Sequence, residues 1–257
     1  MTEICATAWD AVSEIPSGAS LVVGGFGLAG IPDQLIAALA AGSATDLEVI
    51  SNNCGVDGHG LGILLEDRRI RRVVASYVGG NREFARQYLA GELEVELIPQ
   101  GTLAEKMRAG GAGIPAFFTP AGVGTPVADG GLPWRYHADG TVAVASSPKE
   151  VRAFDGPWTG RRYVLENSIV ADFALVHAIR ADTAGNLVCN KAAMNFNPVA
   201  ATAGRTCIAQ VEELVPAGEI DPSAVHVPGI FVDRIVHTGV QRKVVERLVT
   251  STGKSSS

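Results

Sequence analysis

The sequence lacks the patterns that mark several common protein classes. Its four cysteines, Cys5, Cys54, Cys189 and Cys207, have no C-x-x-C spacing, so neither a zinc-site motif nor a disulfide framework is indicated. No uninterrupted apolar run approaches the roughly 18 residues that a membrane span requires. The N-terminus also lacks the basic start and apolar core of a signal peptide. These absences predict a protein of the reducing cytoplasm with no membrane partner.

Basic clusters and common catalytic motifs are missing as well. The net charge is −6, and the arginine-rich run at residues 68–72 lies at the entry to a strand, which indicates a solvated sheet edge rather than a nucleic-acid site. The five histidines show no metal-binding spacing, and there is no G-x-S-x-G elbow. His177 lies inside an apolar strand, so we expect a half-buried structural histidine. The sequence therefore predicts no metal site, no nucleic-acid partner and no serine hydrolase.

What the chain does have is the composition and periodicity of an α/β protein. Hydrophobic residues make up 47% and charged residues 19%, which excludes a disordered chain. Short β-branched runs alternate with amphipathic helical patterns, as in β-α-β units. With no internal repeat or linker, we expect a single domain at residues 1–250, built on an open, mostly parallel sheet flanked by helices. Residues 251–257 are predicted to be a disordered polar tail.

The predicted elements fall into two halves. Strands of the first half are predicted at 21–23, 47–50, 73–77 and 95–98, and helices at 32–41, 82–90 and 103–108. Strands of the second half are predicted at 141–145, 162–165, 173–179, 206–211 and 232–237, with shorter helical spacers that favour some antiparallel pairing. Between the halves, residues 115–140 are rich in glycine and proline, which predicts a long loop, either functional or covering the sheet edge.

The most informative stretch is an apolar strand that runs into a glycine-rich turn and then into a helix beginning with proline. Gly25, Gly27 and Gly30 match the G-x-G-x-x-G of a dinucleotide site. Such a site also needs an acidic side chain about 20 residues later, whereas the second strand here ends in an Asn-Asn pair. NAD binding is therefore disfavoured. Two interpretations remain: the turn and the free amides of the helix N-terminus meet an anion or a developing oxyanion, or the turn binds no ligand.

Three carboxamides follow strand ends in the predicted sheet. Asn52 and Asn53 come after the second strand, and Gln100 follows the fourth. Because parallel strands end at one edge of a sheet, we expect these side chains next to the glycine-rich turn. A carboxamide donates to a carboxylate or a thioester carbonyl without bringing a charge. The alternative interpretation is that Asn52 and Gln100 only cap backbone groups.

At this point the residues support a resemblance to a known family. The stretch 21–32 resembles the glycine-rich signature of the α subunits of family I coenzyme A transferases, of the succinyl-CoA:3-ketoacid type. Ser17 departs from that pattern, which has Asp or Asn there, but it precedes the strand, so we expect the site to be intact. Further similar blocks cover nearly the whole chain, at 51–57, 76–79, 83–97, 99–105, 110–120, 172–176 and 184–187.

The resemblance implies an enzyme that moves coenzyme A (CoA) between two carboxylates, such as succinate and a 3-oxo acid of ketone-body metabolism. A glutamate attacks the acyl-CoA and itself becomes a CoA thioester. In the family this glutamate lies in a Ser-Glu-Asn-Gly motif of the β subunit; this sequence lacks that motif. The nearest match, 165–168, contains Glu166, which we interpret as an ordinary strand-end residue. We therefore expect no nucleophile in this chain and activity only in a hetero-oligomer with a β subunit.

The resemblance also implies the site residues. The CoA thioester is expected as a substrate rather than a permanent cofactor, and the acid is expected to contact Asn52, Asn53 and Gln100. The loop expected to bind CoA consists of Gly24, Gly25, Phe26, Gly27, Leu28, Ala29 and Gly30. Two alternatives remain: a 3-oxoadipate CoA-transferase of the same type, and a non-catalytic module that binds acyl-CoA or a nucleotide.

Overall fold

Residues 2–157 and 159–240 are described by a computed structural model, in which strands and helices alternate along most of the chain. The elements of the first half are β1 (Glu3–Cys5), α1 (Ala8–Val12), β2 (Ser20–Val23), α2 (Asp33–Ala41), β3 (Leu47–Ile50), α3 (Gly62–Glu66), β4 (Ile70–Ala75), α4 (Arg82–Leu89), β5 (Glu94–Leu97) and α5 (Gln100–Gly111). Those that follow are β6 (Ala116–Thr119), α6 (Pro126–Asp129), β7 (Pro133–Tyr136), β8 (Val142–Ala145), β9 (Val151–Ala153), β10 (Arg162–Asn167), β11 (Ala171–Asp182), β12 (Leu187–Val188), α7 (Asn197–Ala203), β13 (Gly204–Val215) and β14 (Arg234–His237).

The central feature is a nine-stranded sheet with the order β1-β14-β13-β11-β2-β3-β4-β5, to which β12 adds beside β11. The neighbours along this order are parallel, and β12 is antiparallel to β11. The predicted mostly parallel sheet in a single α/β domain is confirmed. Antiparallel pairing, expected for the second half, is limited in this sheet to β12. The other antiparallel pairs form two small sheets, β6-β10-β9 and β7-β8.

Helices cover both faces of the large sheet, and strand alternation decides which residue faces which layer. Leu21 and Val23 of β2 pack with α1, α2, α3 and α4, whereas Val22 packs with α5 and α7 on the other face. Because both faces are buried, the strands read as continuous apolar runs rather than alternating ones. The sheet thus presents the loops after β2, β3, β4 and β5 together at its carboxyl edge.

The predicted strand at 73–77 is wrong at its end. Strand β4 stops at Ala75, because the backbone N–H groups of Ser76 and Tyr77 both donate to the carbonyl oxygen of Asn52, at 3.0 and 3.1 Å. This contact turns the chain away from the sheet ladder. The third predicted helix is longer than expected, since α5 begins at Gln100, directly after Pro99.

The prediction of a long loop at residues 115–140 is also wrong. Strand β6 pairs with β10, and β7 forms a hairpin with β8. The hairpin packs on the edge strand β5, and the hydroxyl of Tyr88 donates to the carbonyl of Pro133 at 2.6 Å. Their partners β8 and β10 correspond to the predicted strands 141–145 and 162–165, but glycine and proline content does not indicate that this segment pairs with them. The position of this hairpin agrees with the alternative expectation that the segment covers the edge of the sheet.

The arginine-rich run is not a merely solvated edge. Arg72 is 19% exposed, lies 3.0 Å from Glu48, and also pairs with Glu94 and Glu96. Its guanidinium stacks 4.9 Å from the centre of the Trp134 ring. The arginine therefore joins strands β3, β4 and β5 to the β7–β8 hairpin, and this part of the prediction is corrected.

The cysteines are all free and buried. Burial raises the pKa of the Cys189 thiol to about 11 and raises the pKa of Cys54 and Cys207 further. Within residues 2–157 and 159–240, no helix combines the length and the apolar character needed to traverse a bilayer. The predicted tail at 251–257 and the domain end at 250 lie outside the described residues, so both stay predictions.

Candidate functional site

The glycine-rich turn after β2 is a tight hairpin. The N–H of Phe26 donates to the carbonyl of Ala29 at 3.0 Å, and the N–H of Ala29 donates back to Phe26 at 2.9 Å. Between them Gly27 has a φ of +60°, a backbone conformation that glycine adopts without strain. The ring of Phe26 is 50% exposed at the tip of this turn. The turn therefore projects from the carboxyl edge of the sheet.

The N-terminus of α2 differs from the expectation. Its amides at Gln34 and Leu35 donate to the side-chain oxygen of Gln210, at 2.8 and 3.3 Å, so these groups are not free for an anion. Gln210 lies on β13, 176 residues from Gln34. Pro32 is the residue just before the helix rather than its first residue. These two amides therefore do not form the anion site that the sequence suggested.

The three predicted carboxamides form one hydrogen-bonded chain. The side chain of Gln100 donates to Asn52 Oδ1 at 2.6 Å, and Asn52 Nδ2 donates to Asn53 Oδ1 at 3.1 Å. The same Asn53 oxygen accepts the backbone N–H of Gly27 at 2.9 Å. Ser76 Oγ also donates to Asn52 Oδ1, at 2.9 Å. The carboxyl edge therefore brings together the turn and all three residues; we call Gln100, Asn52 and Asn53 the carboxamide cluster.

The three residues of the carboxamide cluster differ in their solvent exposure. Asn52 is 2% and Asn53 8% exposed, whereas Gln100 is exposed as the first residue of α5. Asn53 accepts a backbone amide, although the capping interpretation concerned Asn52 and Gln100. The contact between Gln100 and Asn52, however, joins two side chains. This hydrogen bond restrains the exposed carboxamide of Gln100. The binding role of these residues stays a prediction.

Two asparagines that the sequence analysis did not identify form hydrogen bonds to the glycine-rich turn. Asn197, 1% exposed at the start of α7, donates to the carbonyl of Gly30 at 2.9 Å and accepts the N–H of His177 at 2.9 Å. Asn195 donates to the carbonyl of Ala29 at 2.9 Å and has a φ of +23°. An Asn-Phe-Asn-Pro run entering a helix is the signal that marks them. The carbonyls of Ala29 and Gly30 are therefore both bound by side chains from the second half of the chain.

A second turn of the same design follows β3. Val56 and His59 exchange backbone hydrogen bonds at 3.3 and 3.1 Å, as Phe26 and Ala29 do after β2. Asp57 at its tip accepts the backbone N–H of Arg82 and its guanidinium, both at 2.8 Å, and the arginine contact lowers the pKa of the Asp57 carboxyl. This second turn is thereby tied to α4.

Glu166 is not an ordinary strand-end residue, which corrects the expectation. It is 1% exposed in β10, and its two carboxylate oxygens contact Lys106 Nζ at 3.0 Å and Lys149 Nζ at 2.6 Å. Two such charge-assisted contacts tie β10 to α5 and to the segment before β9, which indicates a structural role. His177 is also more buried than expected, at 7% exposure, with its Nε2 3.1 Å from Glu212 Oε1.

Comparison with known proteins decides the family. A family model described as coenzyme A transferase matches residues 5–238. The chain belongs to the coenzyme A transferase family. This finding confirms the resemblance seen in the glycine-rich stretch and its companion blocks.

Individual relatives of this transferase chain are similar over nearly its whole length. A protein of Mycobacterium tuberculosis, named as the probable A subunit of succinyl-CoA:3-ketoacid coenzyme A transferase, is 64% identical over 247 residues, which are 96% of this chain and 98% of that protein. The human mitochondrial succinyl-CoA:3-ketoacid coenzyme A transferase 2 is 51% identical over 237 residues, which are 92% of this chain but 45% of that protein.

The solved structures support the fold. The acyl-CoA transferase of Escherichia coli O157:H7, solved as a thioester complex with CoA, superposes with a TM-score of 0.80 at 23% identity. The superposition covers 95% of this transferase chain and 51% of that one. The predicted CoA-transferase-like architecture is thereby confirmed.

Two glycines of the turn are expected to be destabilised by alanine for different physical reasons. A Cβ on Gly24 would lie 2.0 Å from Asn197 Oδ1, whereas a Cβ on Gly27 would meet nothing within 4 Å. Because the Asn197 side chain is buried and already hydrogen-bonded, we expect Gly24→Ala to lower the free energy of unfolding by about 1–3 kcal/mol. Gly27→Ala is expected to cost about 1–2 kcal/mol, from its left-handed backbone alone. Urea denaturation of both variants measures these free energies.

A second measurement on the Gly24→Ala and Gly27→Ala variants is the KM for the CoA thioester. If the turn contacts a CoA thioester, Gly27→Ala raises the KM for that thioester although its Cβ has open space in the free protein. An unchanged KM in this variant would show that the turn only connects β2 to α2.

Proposed function

We propose that this chain is the α-type half of a 3-oxoacid coenzyme A transferase, which moves CoA between succinyl-CoA and a 3-oxo acid such as acetoacetate. The observation that carries the proposal is the hydrogen-bonded chain from Gln100 through Asn52 and Asn53 to the amide of Gly27. The choice of acids is supported by the relative that is 64% identical and is named for succinyl-CoA and a 3-ketoacid.

The chemistry needs a nucleophile and neutral hydrogen-bond donors. In such a transfer a glutamate carboxylate attacks the thioester carbonyl, CoA leaves as a thiolate, and the thiolate then attacks the glutamyl carbonyl to release the acid and leave a glutamyl-CoA thioester. The carboxamide of Gln100 is suited to donate to the acid or to the oxygen on which negative charge develops. Being neutral, it does so without holding a carboxylate product as tightly as a cation would.

The nucleophile is assigned to a partner β subunit with a Ser-Glu-Asn-Gly motif. The nearest match in this chain contains Glu166, whose carboxylate oxygens are bound by Lys106 and Lys149, and this supports a structural role. The human relative, of which this chain matches 45%, is long enough to hold both halves in one polypeptide. We therefore place CoA at residues 24–30, between the two subunits. The cytoplasmic location also remains a proposal, in keeping with the free cysteines.

The deciding experiment measures succinate-dependent consumption of acetoacetyl-CoA by this chain alone, by the isolated β subunit, and by their mixture. We expect activity only in the mixture. Incubation with acetoacetyl-CoA should also give a CoA-sized mass increase on the β subunit. The matched control is a β subunit whose motif glutamate is replaced by glutamine, which should abolish both signals.

Other outcomes would favour the alternatives. Activity of this chain alone would move the nucleophile into it and contradict the proposal. Exchange with 3-oxoadipate but not with acetoacetate would change the acid and keep the reaction. Tight binding of acyl-CoA without exchange in the mixture would indicate a non-catalytic binding module.

A further inference from the structure

The hydrogen bonds of the carboxamide cluster have one direction, and a backbone amide sets it. The N–H of Gly27 can only donate, so the Asn53 atom at 2.9 Å from it is the side-chain oxygen. The Asn52 atom at 3.1 Å from that oxygen is therefore the side-chain nitrogen, because two carboxamide oxygens would not pair. This leaves Asn52 Oδ1 facing Gln100 and Ser76. The orientation of both asparagine side chains thus follows from the fixed amide of the glycine-rich turn.

Ser76, the first residue after β4, supplies a second donor to Asn52. Its hydroxyl oxygen lies 3.1 Å from the backbone carbonyl oxygen of Asn52 and 2.9 Å from Asn52 Oδ1. The carbonyl oxygen already accepts the backbone N–H groups of Ser76 and Tyr77, one for each of its two lone pairs. The single hydroxyl proton of Ser76 is therefore directed to Asn52 Oδ1. That oxygen accepts two hydrogen bonds, one from Ser76 and one from Gln100.

Ser76 also brings a fourth loop into the cluster. Gly27 follows β2, Asn52 and Asn53 follow β3, and Gln100 follows β5, whereas Ser76 follows β4, which lies between β3 and β5 in the sheet. Asn52 is 2% exposed, so little water can replace a donor that its side-chain oxygen loses. The position of Asn52 Oδ1 is thus fixed between donors from two neighbouring loops.

We propose that Ser76 is a positioning residue of the transferase, which orients Gln100 through Asn52 and does not itself touch the acid or CoA. The proposal rests on the proposed function, because it takes Gln100 as the donor to the acid or to the developing negative charge. Gln100 Nε2 has two hydrogens, of which one is bound to Asn52 Oδ1, so the second remains for the ligand. The direction of that second N–H depends on where Asn52 Oδ1 lies. A displaced donor stabilises the transition state less, because it no longer points to where the charge forms.

The first test uses the complete enzyme, assembled with its β subunit, and measures kcat and the KM for the CoA thioester. Ser76→Ala removes one hydrogen bond to Asn52 Oδ1, and we expect kcat to fall by about five-fold with the KM within about two-fold of wild type. Ser76→Thr keeps the hydroxyl and is expected to restore kcat to within about two-fold of wild type. The matched control is Ser13→Ala at the exposed end of α1, which should leave both constants as in wild type.

The second test examines the direction of the hydrogen bonds and leaves Ser76 unchanged. In its described contacts the Asn53 side chain only accepts, from Gly27 and from Asn52, so Asn53→Asp keeps both bonds. Asn52→Asp introduces the same charge but replaces the donor to Asn53 with an oxygen. We therefore expect kcat to be lower in Asn52→Asp than in Asn53→Asp by about ten-fold or more.

Each result has a distinct meaning. A wild-type kcat in Ser76→Ala, or a Ser76→Thr enzyme as slow as Ser76→Ala, would overturn the proposal and leave the proposed function standing. A raised KM for the thioester at unchanged kcat would also overturn it, because Ser76 would then act on CoA binding. Equal losses in Asn52→Asp and Asn53→Asp would overturn the direction of the hydrogen bonds, on which the role of Ser76 depends. No exchange of any 3-oxo acid by the wild-type complex would overturn the proposed function, and this proposal with it.

Discussion

Gln100→Ala is expected to lower kcat of the assembled transferase by about 10²–10³-fold, the usual effect of removing one donor that stabilises developing negative charge. Gln100 is the exposed end of the carboxamide cluster, and its side chain is held by Asn52 Oδ1 at 2.6 Å. A donor that is already oriented stabilises the transition state without reorganising, and alanine has no donor to replace it. Steady-state rates of succinate-dependent acetoacetyl-CoA consumption measure the loss.

The control for this variant is Gln34→Ala, the same substitution at a glutamine of α2. It should leave kcat within about two-fold of wild type, since this half-buried side chain lies outside the carboxamide cluster and substitutions away from a site have small effects. Size-exclusion chromatography with the β subunit should show equal assembly for both variants. A wild-type rate in Gln100→Ala would remove Gln100 from the site and favour the interpretation that it only orders its neighbours.

Glu166→Ala is expected to lower the free energy of unfolding by about 3–5 kcal/mol, the range for removing one partner of a buried ion pair. The carboxylate is 1% exposed, and its loss leaves two ammonium groups, Lys106 and Lys149, without their shared counter-charge. Lys106 is itself 10% exposed at its side chain, so water cannot fully replace the lost partner. Urea denaturation of the isolated chain measures the effect.

The matched control is Glu105→Ala, which removes a carboxylate from the exposed pair with Arg108 on the same helix as Lys106. Exposed pairs of this kind contribute at most about 1 kcal/mol. Equal and small losses in both variants would contradict the structural role of Glu166. A Glu166→Gln enzyme that folds normally but no longer exchanges CoA would instead mark this residue as the reacting group.

These two positions differ in how far local sequence reveals them. Gln100 and the Asn52-Asn53 pair can be predicted because each follows a strand, and parallel strands bring their ends to one edge whatever the details of packing. The environment of Glu166 cannot be predicted in this way, because its partners are distant in sequence. Lys106 lies 60 residues away and Lys149 17 residues away. No local pattern distinguishes a carboxylate that will meet two lysines from one that will meet water.

The same distance explains the other corrections. The free amides expected at α2 are bound by Gln210, 176 residues from Gln34, and the turn carbonyl of Gly30 is bound by Asn197, 167 residues away. The strands within residues 115–140 were missed although their partners, at 141–145 and 162–165, were predicted, because composition does not show that two segments pair. In each case the missing information was a contact between segments.

The sequence by itself determined the α/β class, the parallel first half, the family resemblance and the carboxamides next to a glycine-rich turn, because these depend on periodicity and on short motifs. Only the tertiary structure decided which polar groups are already hydrogen-bonded, which side chains of the second half bind the turn, and which lysines meet Glu166. Those properties depend on long-range packing, which joins residues that the chain keeps far apart.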